Sequence, residues 1–161
     1  MQFLANMLGL STTGDPTILT GEFLDEELAL EEARKTRDTT SFFSLYYVKI
    51  YIAVTMGRFD KAEQLYYDSR KVIDFKMMVL STQAHWNFLV AFLMAVQLRK
   101  GTRRRQKLRC LKKCLEQLRK FDRTSPENNM HRIHLAEAEF ALTNANYTEA
   151  CVLYQRHKSA G

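Results

Sequence analysis

The stretch Thr55-Met-Gly-Arg-Phe-Asp-Lys-Ala-Glu-Gln-Leu-Tyr66 occurs a second time, in altered form, as Thr143-Asn-Ala-Asn-Tyr-Thr-Glu-Ala-Cys-Val-Leu-Tyr154. The two stretches align without a gap at a constant offset of 88 residues. The threonine, the aromatic residue, the alanine and the final Leu-Tyr pair recur at matching positions. An internal match of this kind is typical of a chain built from repeated helical hairpins.

The turn inside each hairpin is predicted at the third residue of each copy. Gly57 has this position in the first copy, and glycine adopts a positive φ after a helix end more easily than any other residue. The second copy has Ala145 there, between Asn144 and Asn146. Because asparagine tolerates the left-handed conformation better than most residues, we expect either of these two asparagines to make the second turn.

The second helix of each hairpin is predicted to start near an aromatic residue, Phe59 or Tyr147, that packs back into the hairpin. Ala62 and Ala150 follow three residues later, and a small side chain there allows two helices to cross closely. The aromatic-x-x-Ala pattern is typical, in divergent form, of tetratricopeptide (TPR) hairpins.

A further, degenerate hairpin is predicted between the two copies, because 88 residues are twice 44. Residues 84–98 are apolar nearly all round, which indicates a helix covered on two sides. The segment 99–120 then carries eleven basic residues and one acidic residue. Four leucines recur in it at steps of three, four and three residues: Leu108, Leu111, Leu115 and Leu118. This stripe predicts the outer helix of the middle hairpin, with the basic residues on its solvated face.

The net charge of +6 comes from that one segment. Residues 99–120 sum to +10, so the rest of the chain sums to −4, and residues 1–41 alone sum to −5. The charge therefore does not describe a general nucleic-acid coat. A basic amphipathic helix also resembles a calmodulin target or a membrane-surface helix. Few aromatic residues interleave the basic ones, which argues against a platform on which the bases of a single-stranded nucleic acid stack. The candidate partner-binding or anion-binding residues in the segment are Arg103, Arg104, Arg105, Lys112 and Lys113.

The remaining helices have recognisable starts. Asp25-Glu-Glu begins an acidic helix that runs to about Arg37, in which Glu31 and Lys35 are spaced for an i,i+4 ion pair. Ser125-Pro126-Glu127 is a helix start with serine as the N-cap. Residues 1–24 are expected to be an irregular connector with a short helix.

The predicted fold is all-α. TPR-like helical hairpins stack as a short right-handed solenoid of about six to seven helices. The repeat domain covers residues 25–161, with hairpins at about 42–74, 84–121 and 126–159.

Composition restricts the setting of the protein. Three cysteines, an odd number without C-x-x-C spacing, argue against a disulfide framework. The first ten residues lack the basic n-region of a signal peptide. The longest nearly apolar run, 86–98, is thirteen residues, whereas a membrane span needs about twenty. We expect a cytoplasmic protein that does not enter a membrane.

Motifs for chemistry are weak. Gly9 and Gly14 have the glycine spacing of a phosphate loop, but Asp15-Pro16 follows where such a loop needs lysine and then serine or threonine. Two pairs at helical spacing, Cys110 with Cys114 and His131 with His134, offer the ligands of a Cys₂His₂ zinc site, but packing of the thiols is favoured. No nucleophile stands in a recognisable catalytic setting. We expect no catalytic residue, no cofactor and no metal.

Six tyrosines at helical spacing are candidates for a peptide groove, with packing between helices as the first interpretation. They are Tyr46, Tyr47, Tyr51, Tyr66, Tyr67 and Tyr154.

Taken in order, these features resemble one family across about residues 2–161. Leu19-x-Gly21-Glu22, Met56-Gly-Arg-Phe-Asp-Lys-Ala62, Pro126-Glu-Asn-Asn-Met-His-Arg132 leading into Leu135-Ala-Glu-Ala-Glu139, and Tyr147-x-x-Ala150-x-x-x-Tyr154 resemble the helical-repeat region of very large multidomain signalling ATPases. In that family an AAA-type predicted ATPase precedes the repeats. A sensor or hybrid histidine kinase or a nucleotidyl cyclase commonly follows, and some members begin with a serine/threonine kinase.

The resemblance implies a non-catalytic interaction and coupling module, and a chain that is a fragment of a larger protein. Its partner would be another protein or neighbouring domains of the same chain. The alternative is a stand-alone basic helical-repeat protein that binds RNA or an acidic partner through residues 99–120, with nucleic acid less favoured than protein. The structural residues of the repeat signature are Gly57, Phe59, Ala62, Pro126, Asn128, His131, Tyr147 and Ala150.

Overall fold

The computed structural model describes residues 1–73, 80–101, 103–122 and 126–159, apart from the side chains of 80, 81, 122, 126–128 and 159. Within these ranges the chain consists of helices and turns without strands, so the all-α prediction is confirmed. The described helices are α1 (Gln2–Met7), α2 (Glu26–Thr36), α3 (Thr39–Thr55), α4 (Phe59–Ser69), α5 (Leu80–Leu98), α6 (Arg104–Asp122), α7 (Pro126–Thr143) and α8 (Tyr147–Ser159). These eight exceed the predicted six to seven because the short helix of the N-terminal connector was not counted.

The chain divides into two units, Met1–Met78 and Val79–Gly161, a division that the periodicity of the sequence does not indicate. In the first unit, α3 packs against α2 and α4. Helix α2 begins at the predicted place, and Asp25 is its N-cap, because its carboxylate accepts a hydrogen bond from the Leu28 amide at 3.1 Å. The predicted Glu31–Lys35 pair is also present, at 2.7 Å.

Helix α1 is held by its polar face. The Asn6 side-chain amide donates hydrogen bonds to the carbonyl oxygens of Pro16 at 2.9 Å and Ile18 at 2.7 Å. Gln2 is also buried and accepts a hydrogen bond from the Phe23 amide at 3.1 Å. A Cβ at Gly21 would lie 2.5 Å from Gln2 Nε2, so any larger residue there would displace the Gln2 side chain.

In the second unit, α5 pairs with α6 and α7 pairs with α8, while α7 packs against both α5 and α6. Helix α5 is buried nearly all round, as predicted. On α6, Leu111, Leu115 and Leu118 are buried and Leu108 is half-buried, so the leucine stripe faces the core. Lys107 departs from the prediction of a solvated basic face, because it is buried and its Nζ lies 3.5 Å from the Gln97 carbonyl oxygen.

The turns after α3 and α7 have the same hydrogen bonds. The Arg58 amide donates to the Ala53 carbonyl at 2.8 Å, and the Asn146 amide donates to the Ala141 carbonyl at 3.0 Å. Gly57 and Ala145 both have positive φ, 70° and 56°. This closure is the Schellman type of helix end, and it occurs at equivalent positions of the two copies.

The second turn corrects one expectation, because Ala145 rather than Asn144 or Asn146 takes the left-handed conformation. Asn146 is engaged elsewhere: its side-chain oxygen accepts from the Glu149 amide at 3.3 Å, and its side-chain NH₂ donates to the Glu149 carboxylate at 2.6 Å. The hydrogen bond from the Glu149 amide makes Asn146 the N-cap of α8, a position outside the left-handed region. The turn residue is therefore the one before it.

We predict that Ala145→Gly stabilises the second unit by about 0.5–1 kcal/mol, because glycine relieves the left-handed strain at some cost in chain entropy. Gly57→Ala is the reverse experiment and should destabilise the first turn by about 1 kcal/mol. Its cost is conformational, because a Cβ at Gly57 meets no atom within 4 Å. Urea unfolding followed by the fluorescence of the single tryptophan, Trp86, measures the first effect, and amide exchange in α3 and α4 measures the second. A loss of stability in Ala145→Gly would contradict the assignment of the turn.

The aromatic residues of the two copies behave differently. Phe59 is half-buried at the start of α4, whereas Tyr147 is 66% exposed at the start of α8 and does not pack back into its hairpin as predicted. Ala62 and Ala150 are both buried, in agreement with close helix crossings.

Helix α7 begins at Pro126, as predicted from the sequence. The predicted N-cap Ser125 and the side chain of Asn128 lie outside the described residues.

Candidate functional site

The basic face of α6 is the first candidate site, and its predicted residues Arg103, Arg104, Arg105, Lys112 and Lys113 are all exposed. The three arginines stand at the N-terminal end of the helix, where the first turn has no acidic residue. Cations at a helix N-terminus oppose the helix dipole, with an effect of about 0.3–1 kcal/mol each. These arginines therefore do not contribute to helix stability through the dipole.

A groove lies between α6, α7 and the start of α8, with a volume of about 500 Å³. It brings one of the predicted basic residues, Lys112, to a surface that also has apolar and acidic side chains. The groove is lined by Lys112, Leu115, Glu116, Arg119, Glu137, Phe140, Ala141, Asn144, Asn146 and Glu149. The other four predicted basic residues do not line it.

The groove has an apolar floor and an acidic rim. Leu115 and Ala141 are buried and Phe140 is half-buried, so these three side chains form a floor for an apolar group. On the rim, three carboxylates face two basic groups, and an ion pair between Arg119 and Glu137 neutralises one of each.

The charges left on the rim are those of Lys112, Glu116 and Glu149, all exposed, which sum to −1. Asn144 and Asn146 add amides that donate and accept hydrogen bonds. The arrangement supports non-covalent binding of an apolar group beside a cation.

A polar network on the far side of α7 fixes its packing on α5 and α8. Glu139 accepts hydrogen bonds from Arg99, the residue directly after α5, and from the Tyr154 hydroxyl of α8. Burial and the hydrogen bond to the carboxylate raise the pKa of Tyr154 to about 12, so the phenol remains a donor at any physiological pH. Glu139 thus holds α5, α7 and α8 together.

The predicted pairs Cys110–Cys114 and His131–His134 do not form a metal site. Among the described residues, no three His, Cys, Asp or Glu side chains are placed to hold a metal ion. Cys114 is buried and Cys110 is half-buried on the core side of α6, in agreement with their interpretation as packing residues. His131 instead lies near the three other histidines of the chain.

The segment from Gly9 to Gly14 ends at an acid that is fixed in its charged form. The Asp15 carboxylate accepts from the Thr17 amide at 2.9 Å and the Thr17 hydroxyl at 2.8 Å, and it pairs with Arg58 at 2.9 Å. Burial acts to raise the pKa of Asp15, but the hydrogen bonds from Thr17 and the Arg58 charge outweigh it and lower that pKa. A carboxylate at this point repels phosphate.

The tyrosines mostly pack, in agreement with the first interpretation from sequence. Tyr47 stacks between Phe43 and Tyr51 along α3, with ring centroids 5.8 and 6.2 Å apart, and Phe3 meets Tyr51 edge-on at 5.9 Å. Tyr66 is buried and contacts Tyr67 at 5.3 Å. These rings cover one another rather than line an open groove.

Most of the groove is not predictable from the sequence. Glu137 and Ala141 are four residues apart on one face of α7, which is a detectable signal, but this face meets Glu116 only through the packing of α6. Glu149 reaches the groove because the turn at Ala145 places the start of α8 beside it. Neither neighbour follows from spacing along one helix.

In the described part of the chain, no helix combines the length and the apolar composition that crossing a membrane requires. Comparison with protein-family models, with curated proteins and with solved structures found no match to this chain.

Proposed function

We propose that this chain is a non-catalytic interaction and coupling module made of TPR-like hairpins, stacked as a short right-handed solenoid. The observation that carries the proposal is the recurrence of one turn, with the same backbone hydrogen bonds and the same left-handed residue, 88 residues apart. The packing of α7 against both helices of the preceding α5–α6 hairpin adds support, because repeat proteins stack in this nearest-neighbour way.

The groove between α6, α7 and α8 is the proposed binding site for a partner. Its occupant is an extended segment of a protein, either of another chain or of a neighbouring domain, with an apolar side chain next to a lysine or arginine. The buried Leu115 and Ala141 beside Phe140 suit the apolar side chain, and the exposed Glu116 and Glu149 suit the cation.

The role of this module within a multidomain signalling ATPase, with a histidine kinase or nucleotidyl cyclase as the output, follows from the sequence resemblance. The module would couple the flanking domains through binding and packing, with no chemistry of its own.

Selection from a random-peptide phage library tests the site directly. We expect enriched peptides that combine an apolar residue with a neighbouring lysine or arginine. Charge reversal at the rim, Glu116→Lys, should weaken their binding by about tenfold, or ~1.4 kcal/mol. Lys113→Glu is the matched control, because Lys113 is equally exposed on α6 but does not line the groove, and it should leave these peptides bound. Enriched peptides whose affinity ignores Glu116→Lys would refute the groove as the site.

The second candidate function is binding of RNA or an acidic partner by the exposed basic face of α6. The specific support is that Arg104, Arg105, Lys112 and Lys113 are exposed and make no hydrogen bond or ion pair within the described ranges. Acidic peptides that depend on Lys113 in the same selection would support this function. For RNA, affinity should fall steeply with salt, and replacing Arg103, Arg104 and Arg105 by Gln should flatten that dependence.

A further inference from the structure

All four histidines of the chain gather in the second unit, around the N-terminal half of α7. His131 and His134 lie on α7, His85 on α5 and His157 on α8. The rings of His131 and His157 are 6.1 Å apart between centroids. The first unit, Met1–Met78, contains no histidine. We call these four residues the histidine cluster.

One contact of the histidine cluster requires a neutral imidazole. Arg132 Nη2 lies 2.8 Å from His85 Nε2, and a guanidinium only donates hydrogen bonds. His85 Nε2 must therefore be the acceptor and carry no proton. Protonation places an N–H on that atom and converts an attractive contact between α5 and α7 into a contact between two cations.

Two further imidazoles lack a partner for an added proton. The Nδ1 atoms of His131 and His134 are buried and make no hydrogen bond within the described part of the chain. Adding a proton to either atom creates a buried charged donor without an acceptor, which is costly. His157 Nδ1 already donates to the His131 carbonyl oxygen at 2.9 Å, since a carbonyl only accepts. This bond ties α8 to α7 directly beside the His131 ring.

The groups that lower the pKa of His131 through their charge are cations or become cations on protonation. Burial is the largest influence and lowers the pKa of His131, and Arg132, His157, His134 and His85 lower it further.

Two carboxylates of α7, Glu137 and Glu139, are paired with groups outside the histidine cluster. From α6, Lys112, Glu116 and Arg119 line the groove, where Arg119 pairs with Glu137. Glu139 on α7 binds Arg99 and Tyr154. The exposed Arg156 and Lys158 on α8 are additional cations.

We propose that the histidine cluster is an acid-sensitive latch: proton uptake breaks the α5–α7 contact at His85 and Arg132 and loosens α8, while the histidine-free first unit keeps its packing. The direction of the pH dependence follows from the difference in proton binding between the unfolded and the folded chain. The unfolded chain binds protons on His131 more readily than the folded chain, so the latch has its full stability above about pH 6.5 and loses it as the pH falls further. Because α7 and the start of α8 also line the groove, acid would disrupt the proposed partner site, a consequence that rests on the proposed function.

Hydrogen–deuterium exchange of the full chain at about pH 7.5 and about pH 5.5, corrected for intrinsic exchange, tests the latch. The α3–α4 hairpin is an internal control, since it has the same turn and no histidine. We expect protection of α7 and α8 to fall several-fold more on acidification than protection of α3 and α4. Equal losses in the two hairpins would overturn the proposal. This readout needs no partner, so it fails or succeeds independently of the proposed function.

Two variants locate the effect. His85→Gln keeps an acceptor for Arg132 at every pH, and His131→Gln removes the buried titrating group, so each should reduce the extra acid loss in α8. Lys158→Gln is the matched control, because it removes an exposed cation of α8 outside the histidine cluster, and it should leave the acid loss unchanged. An acid response that survives both histidine variants would also overturn the proposal.

If a variant does not fold at neutral pH, the imidazole NMR titration of the unmodified chain replaces it. His131 must titrate below the usual imidazole range, and titration at or above that range refutes the latch.

Discussion

Leu118→Ala is expected to destabilise the second unit by about 2–5 kcal/mol, the range for removing a leucine side chain from a packed core. Leu118 on α6 has no exposed surface, and it lies in the stripe that docks this helix onto its neighbours. A loss of this size is large against the total stability of about 5–15 kcal/mol of an ordinary domain. The variant should therefore show a lower urea midpoint and a lower Tm, or fail to fold at room temperature.

Urea unfolding followed by Trp86 fluorescence measures this loss, because Trp86 is buried on α5, the hairpin partner of α6. Lys113→Ala is the matched control on the same helix. Lys113 is exposed, and such surface changes usually stay within about 0.5 kcal/mol. A loss below about 1 kcal/mol for Leu118→Ala would mean that the leucine stripe faces solvent and that the opposite, basic face of α6 is not the solvated one.

This contrast also separates what periodicity predicts from what it does not. The steps of three and four among the leucines are a local property of one helix, so they correctly place Leu111 and Leu118 in the core. The same pattern assigns every basic residue of 99–120 to the wet face, which is wrong for the buried Lys107. The aliphatic part of a lysine side chain packs well, and its environment depends on which helix covers it.

The turns give a second example. Gly57 is predictable because glycine in a helix-ending position has one common use. The left-handed conformation of Ala145 is not predictable in this way. Asn146 is the N-cap of α8 and is hydrogen-bonded to Glu149, so the residue before it, Ala145, adopts the positive φ. Local preference alone favoured the asparagines. The repeat offset, which compares positions instead of residue types, indicates the turn position correctly.

The candidate sites were the least predictable part. His85 and Arg132 are 47 residues apart in the chain, and their contact exists only because α7 packs against α5. The groove likewise combines side chains of α6, α7 and α8. Sequence spacing identified single members, Lys112 and His131, but the neighbours that give each of them a chemical setting come from tertiary packing.

The ion pair between Glu26 and Lys49 joins two helices. It allows a contact made by tertiary packing to be compared with one that spacing along a single helix predicts. Both side chains are largely buried, at 12% and 13% exposed, and the second Glu26 oxygen accepts from the Leu19 amide at 2.7 Å. Lys49→Met leaves the Glu26 carboxylate without its cation between α2 and α3. We expect a loss of about 3–5 kcal/mol, the usual result of removing one partner of a buried pair. Amide exchange in α2 and α3 measures it.

The Glu31–Lys35 pair on the same helix α2 is the matched comparison, because these side chains are 58% and 71% exposed. Lys35→Met should cost about 0.5 kcal/mol or less. The double variant Glu26→Gln with Lys49→Met should recover part of the loss of the single variant, since it removes the buried charge as well as its partner. Equal effects of Lys49→Met and Lys35→Met would show that Glu26 is solvated in solution. The exposed pair was predictable from i,i+4 spacing. The buried pair joins residues 23 apart and holds α2 on α3. The ion pair expected to contribute most to the stability of the first unit is therefore the one that spacing along the helix does not indicate.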